Sequence, residues 1–455
     1  MHHSREGLIE WITTPHQVFL LLALLFGGLF LIITPPFQEP DGYVHFLRIY
    51  TISAGKAVPV GVTVPRSLLD FLEQVNPDPL PGNFVNKQSK RALLAQCSVP
   101  FDDLTPVPMD LTDTIEYTHV AYTPQVIGVS AGRMLHLPAI YLFYLARLCN
   151  FSVWVLGCYW AIRQTPVFKW VFLLLALMPM TVFQGASISP DALLIAGSFL
   201  FLAFCLRLAI QPGAKVDVGP IAGLAALLVL IACLKPGYSL IWLFAWTIPT
   251  AKFGSLRRKI GVLALWLGAA LLPMLWWQMT TSGIGVWSEE NHQISENLAY
   301  IMGSPDVFLS RLVENYLVVF PWTKKMFIGV LGWLDTPLPE YAYLLFTTAL
   351  LLVPLLDNRA GFRIPIGMRI LGPLLYFGVT SSLMVVFFIS QNSPDATRFH
   401  AVQGRYFLPF APAYFLFLYQ RKLLVPSKWM WPVALFSALG LGIALRALLF
   451  RYYAI

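Results

Sequence analysis

The chain alternates between long apolar runs and short polar breaks from near its start to its end. The first run, 18–33, stops at Thr34-Pro35-Pro36 without the small-residue site that a signal peptidase needs, so it predicts an uncleaved first span. Further runs occupy 137–161, 167–184, 191–210, 219–236, 237–251, 260–280, 341–356, 368–390, 405–420 and 429–449. Judged against the roughly 20 residues needed to cross a bilayer, they predict about eleven transmembrane helices, within a range of about 10–13. The runs 237–251 and 405–420 are short for a crossing, and 326–334 is short enough to predict a re-entrant or interfacial piece. Two long polar segments interrupt the pattern: 36–122, with a helical patch at 67–75, and 282–340.

Composition agrees with the pattern. The 455 residues are 57% hydrophobic and 12% charged, with mean hydropathy +0.67. Soluble domains average about 45–50% apolar and about 25% charged, so a water-soluble fold is excluded, as are disordered and collagenous classes. The expected fold is an all-α polytopic membrane protein forming a single domain over 1–455. Cys149, Cys158, Cys205 and Cys233 lie in apolar runs and Cys97 stands alone, with no CxxC spacing, so neither a disulfide framework nor a zinc site is indicated.

The net charge of +8 divides by loop. Alternate short loops carry Arg163 and Lys169; Arg207 and Lys215; Lys252, Arg257, Arg258 and Lys259; Arg359, Arg363 and Arg369; Arg421, Lys422 and Lys428. By the positive-inside rule these face the cytoplasm, which puts the N-terminus inside, the C-terminus outside and both long polar segments on the outer side. The charge then splits into roughly +11 inside and −4 outside, with Arg147 between. The basic balance is an orientation signal, not a nucleic-acid footprint.

This topology gathers the scarce polar motifs at the outer face. In PPFQEPDGYVHFLRIY, Asp41 opens a helix whose positions 41, 45 and 48 share a face, aligning Asp41, His45 and Arg48 beside Glu39. The same spacing suits a helix cap with two solvated side chains. SPDALL places Asp191 at the start of a span, and KPGY places Lys235 at the end of another. GWLDTPLP carries Trp333 and Asp335; QGRYFLP carries Gln403, Arg405 and Tyr406. Each has a bland reading as a cap, a snorkelling lysine or an aromatic anchor. Together, cations at headgroup level suit a lipid-linked phosphate, and a nearby carboxylate suits a base that deprotonates an attacking hydroxyl. Arg147, mid-span, requires a partner.

Those five motifs, in that order from Pro35 to Leu408, resemble the bacterial membrane family known as domain of unknown function 2142. Gly42 stands where that family's first motif usually has an acidic residue, and Glu39 is the nearest substitute. The layout is similar to the C-type glycosyltransferases, polytopic enzymes that use polyprenyl-phosphate sugars and carry a catalytic acid in the first outer loop. The resemblance implies a multi-pass protein of the bacterial cytoplasmic membrane that passes a sugar to a glycan, lipid or protein acceptor with inversion. It implies Asp41 as the catalytic carboxylate; with such an activity the residues themselves suggest Lys235, Arg405, His45 and Arg48 as donor-phosphate ligands and Glu39, Asp191, Trp333, Asp335, Gln403 and Tyr406 as sugar or acceptor ligands. No dense acidic cluster such as DxD is present, so metal-independent chemistry without a cofactor is favoured over use of a divalent ion. The expected partners are the polyprenyl-phosphate-linked sugar, its acceptor and membrane lipids. Competing readings are a flippase for a lipid-linked or phosphorylated glycan and a non-catalytic subunit of an envelope-polysaccharide complex.

Overall fold

Apolar runs become continuous helices wherever proline leaves the backbone ladder intact. The structure, a computed structural model, describes residues 14–75, 87–88, 90–101, 105–282, 287–358, 362–394, 396, 399, 402–423, 425–426 and 429–453. Arg359 and Lys428, used above for orientation, lie outside the described residues. Among those described, six helices are long and apolar enough to cross a membrane: Pro15–Ile33, Ala139–Gln164, Asp191–Ile210, Leu256–Thr281, Ile366–Gln391 and Trp431–Tyr452. Val218–Leu234 and Glu340–Leu356 are shorter apolar helices. Among the described residues strands form two two-stranded antiparallel pairs. The protein is an all-α membrane protein.

Burial ranks the helices. The apolar stretch of Asp191–Ile210 is 78% buried and that of Ala139–Gln164 56%, against 28% for Leu256–Thr281 and Ile366–Gln391. The first two therefore form the centre, and they approach closely where Gly157 meets Ala196, a contact that a Cβ on residue 157 would obstruct. The outer helices leave Leu265, Leu272, Leu275, Leu374 and Phe377 exposed, as lipid-facing surfaces do.

Three of the predicted spans are broken instead of continuous. Run 167–184 is two short helices, Lys169–Ala176 and Pro179–Gly185, separated where Met178 turns extended before Pro179. The residue before a proline is disfavoured in the α region, which accounts for the break. Run 237–251 becomes a 3-10 helix over Pro236–Thr247 after an extended Lys235. Run 405–420 becomes Gly404–Phe410 and Phe415–Leu418, both 3-10, around one α-turn at Ala411–Tyr414, with Pro409 and Pro412 inside. Irregular backbone at membrane depth is tolerated where protein surrounds it, and 170–199 is buried throughout.

The polar segments fold too. Gly42–Ser53 and Arg66–Val75 are helices, and Val62–Pro65 pairs with Pro106–Met109. The stretch 326–334 is the last turn of a 25-residue helix, Pro305–Gly329, followed by a hairpin of Val330–Leu331 with Thr336–Pro337. Arg311, Glu314, Lys324 and Lys325 lie within that helix and hide it from an apolar-run search. Both segments are tied to the end of the final helix. Lys87 Nζ donates to the Phe450 and Arg451 carbonyls at 2.7 and 3.0 Å, capping the helix C-terminus with positive charge. Arg451 grips Asp335 Oδ2 through Nη2 at 2.8 Å and Nε at 3.1 Å.

Candidate functional site

Antiparallel helices bring the Asp191 and Lys235 motifs to one end of the bundle. Asp191 is the first residue of Asp191–Ile210, and Lys235 follows the last residue of Val218–Leu234. Asp191 Oδ1 lies 3.0 Å from Lys235 Nζ, and Oδ2 lies 3.5 Å from Arg405 Nε. Arg405 Nε makes no hydrogen bond among the described residues. All three side chains are largely buried, Lys235 being the most open at 17%. Among the described residues two buried cations share this one buried carboxylate, an excess of positive charge that favours an anion. The Lys235 ammonium also stands 4.6 Å from the Tyr406 ring centre and 5.4 Å from that of Tyr117. Tyr406 stacks on Phe387, and its carbonyl accepts from the Tyr238 hydroxyl at 2.8 Å.

Arg405 is set in place by the glycine before it. A Cβ on Gly404 would fall on the Thr323 carbonyl and the Phe327 amide of the Pro305–Gly329 helix. Gly404→Ala is therefore expected to lower stability by about 1–3 kcal/mol through overpacking, read as a drop in melting temperature in detergent. An unchanged melting temperature would show that the contact can relax.

Asp41 is built differently from Asp191. It occupies the N-cap position of Gly42–Ser53, yet its side chain makes no capping bond. It is exposed, and among the described residues its carboxylate has no hydrogen-bond or ion-pair partner. Its backbone is left-handed, φ 61°, a conformation costly for most residues and easier for Asp. The capping alternative thus does not hold, and the group is available for chemistry.

His45, one turn on, lies within electrostatic reach of Asp41, Asp191, Arg405 and Lys235, which links Asp41 to the cationic cluster. Its Nδ1 is hydrogen-bonded to the Tyr122 hydroxyl at 2.8 Å. Burial pushes its pKa down from 6.5 to about 4; the carboxylates of Asp41 and Asp191 oppose the shift, and Arg405 and Lys235 reinforce it. The ring is therefore neutral at pH 7 and does not add a cation for a phosphate. Burial likewise holds the Tyr122 phenol well above its ordinary range.

A stability test follows from the sign. The unfolded histidine takes up a proton below about 6.5 and the folded one only near 4, so its contribution is complete above 6.5 and is lost as pH falls through that window. The loss amounts to about 3 kcal/mol by the acid end. Thermal unfolding across this range is expected to show a steep acid decline in the wild type and a shallower one in His45→Gln. Parallel declines would contradict it.

The remaining motif residues separate from this cluster. Arg48 donates Nη1 to the Lys56 carbonyl at 3.1 Å and Nη2 to that of Ala57, so its guanidinium closes the turn after its own helix. Glu39 is 1% exposed; one oxygen pairs with Arg147 and the other accepts the Ile188 amide at 3.2 Å, leaving none for a sugar. Arg147 thus finds the partner it required, and it also donates to the Thr34, Leu31 and Pro35 carbonyls at the end of the first span. Asp335 is consumed by Arg451 and by the Thr336 hydroxyl at 3.0 Å. Trp333 Nε1 donates to the Phe37 carbonyl at 2.8 Å. Gln403 is half-buried, and its Oε1 has no donor among the described residues.

Three residues of this end lie outside the five motifs: Glu116, Tyr117 and Tyr122. Exposed Glu116 lies within electrostatic reach of Lys235, Tyr117, Tyr122 and Tyr238. The signal was the run EYTHVAYTP over 116–124, an acidic and aromatic cluster just before a helix.

Comparison with known proteins gives one family. Residues 24–414 match the family described as "Predicted membrane protein (DUF2142)", and the chain belongs to it. No curated protein and no solved structure matches the chain.

Proposed function

We propose that this member of the DUF2142 family is an integral-membrane glycosyltransferase, taking its sugar from a polyprenyl-phosphate donor at the outer face of the bacterial cytoplasmic membrane. One observation carries the reading: Asp41, whose carboxylate has no partner among the described residues, shares His45 as a neighbour with a cluster in which, among the described residues, Lys235 and Arg405 both pair with the single buried carboxylate of Asp191. The donor phosphate adds its charge to Arg405 and Lys235, with Asp191 holding both cations in place. Asp41 takes the proton from the acceptor hydroxyl as its oxygen bonds to the anomeric carbon. The bond from that carbon to the phosphate oxygen breaks with both electrons leaving on the polyprenyl phosphate, where the two cations stabilise the charge. Attack opposite the leaving group inverts the anomeric centre. Gln403, Tyr406 and Glu116 are the groups left to meet sugar or acceptor hydroxyls. With the phosphate charge met by side chains, chelation of divalent ions is expected to leave transfer intact.

A transporter of a lipid-linked glycan is favoured by one feature, the helix break at Lys235, since broken helices line transport sites. Proteoliposomes loaded with a labelled polyprenyl-phosphate sugar separate the two. Label moving into a new covalent product supports transfer. Label crossing the bilayer with its bonds unchanged would replace the enzyme reading by the transporter.

A further inference from the structure

We infer that Gln125 and Asn150 are positioning residues for Asp191, acting through the backbone of 187–189. Five residues of irregular chain, 186–190, precede the Asp191 helix, and in 187–189 all six backbone polar groups are engaged. The Ser187 amide donates to the Gln184 carbonyl at 3.2 Å, the Ile188 amide to Glu39 at 3.2 Å and the Ser189 amide to the Ser187 hydroxyl at 3.1 Å. Asn150 Nδ2 donates to the carbonyls of both Ser187 and Ser189, at 2.9 and 3.0 Å. Gln125 Nε2 donates to the Ile188 carbonyl at 3.1 Å. The chain of bonds ends on the carboxylate's own residue, where the Asp191 amide donates to the Ser189 hydroxyl at 3.2 Å.

Gln125 and Asn150 are both fully buried, and each leaves its side-chain carbonyl oxygen without a hydrogen-bond partner among the described residues. Such an oxygen costs about 1–3 kcal/mol, so an apolar side chain would serve packing better. The two amides are arranged as donors only, aimed at carbonyls that no other donor reaches among the described residues. Their hydrogen bonds go to 187–189 and not to Lys235 or Arg405. Their effect is to fix where the Asp191 helix begins, and so the distances of its two oxygens from those cations. The grip extends through Glu39 to Arg147, which ties residues 187–189 to the Leu31, Thr34 and Pro35 carbonyls at the end of the first span.

The consequence for phosphate binding rests on the function proposed above, but the positioning itself is testable without ligand. Acylation of Lys235 by a small amine-reactive ester, followed by mass spectrometry, reads how tightly Asp191 holds the ammonium. Gln125→Met, which keeps volume and removes the donor, and Asn150→Ala are each expected to raise the Lys235 rate about five- to ten-fold. Asn297→Ala is the control, since Asn297 is a buried amide gripping the Phe388, Ile389 and Asn392 carbonyls elsewhere. It should lower the melting temperature without changing Lys235 labelling. In parallel, undecaprenyl phosphate should bind about ten-fold more weakly to both variants, and adding Asp191→Asn to either should weaken it by less than about two-fold more. Asn150→Ser, which keeps one donor, should fall between wild type and Asn150→Ala and stands in if the latter does not fold. Unchanged Lys235 labelling, or an equal rise in Asn297→Ala, would overturn the inference. If the wild type does not bind undecaprenyl phosphate, the phosphate reading fails, while the labelling still decides the positioning.

Discussion

Asp41→Asn is expected to abolish sugar transfer in reconstituted membranes, a loss of at least about 10²–10⁴-fold, while expression, melting temperature and undecaprenyl-phosphate affinity stay near wild type. The selectivity follows from the surroundings of the side chain. Asp41 makes no capping bond, has no partner among the described residues and is exposed, so replacing one oxygen by an amide removes no structural contact. What it removes is the basic lone pair that the proposed mechanism uses to accept the acceptor's proton. The left-handed backbone at residue 41 tolerates Asn as readily as Asp, so the variant carries no added strain. Full transfer by Asp41→Asn would sink this assignment and leave exposed Glu116 as the next carboxylate to test.

Arg147→Met is expected to have the largest effect on stability, about 3–5 kcal/mol, with little folded protein recovered. The substitution leaves Glu39 charged and unpaired at 1% exposure, and it strips donors from the carbonyls of Leu31, Thr34 and Pro35. Pairing it with Glu39→Gln removes the orphaned charge and keeps an oxygen for the Ile188 amide. The double variant should therefore recover a substantial part of the loss, as seen by thermal unfolding in detergent. A double variant no better than the single one would mean that the lost carbonyl donors, not the buried charge, dominate.

These two carboxylates, two residues apart, show what the sequence could and could not reveal. Membrane class, and the gathering of Asp191 and Lys235 at one end, followed from helix counting, because antiparallel helices place a start beside an end. The distinction between Asp41 and Glu39 did not follow. Glu39 is claimed by Arg147, which is 108 positions away, and Asp335 by Arg451, 116 positions away. Spacing along one helix carries no signal for such pairings. His45 read as a cation because histidine titrates near neutrality; only burial, invisible in a single sequence, holds it neutral. The breaks at Met178, at Lys235 and through 404–418 look like short spans in hydropathy, since the same apolar residues serve a lipid face and a protein interior alike. Pro179, Pro236, Pro409 and Pro412 were the local warning. Glu116, Tyr117 and Tyr122 lay inside a polar segment, where hydropathy assigns no position at all.

The central claim is that Arg405 and Lys235 hold the phosphate of a polyprenyl donor within reach of Asp41. A structure determined with undecaprenyl phosphate tests it most directly. The phosphate is expected between the Arg405 guanidinium and the Lys235 ammonium, with Asp41 facing the oxygen that carries the sugar. A phosphate seated elsewhere, with the lipid tail or protein side chains filling the space beside Arg405, would contradict it.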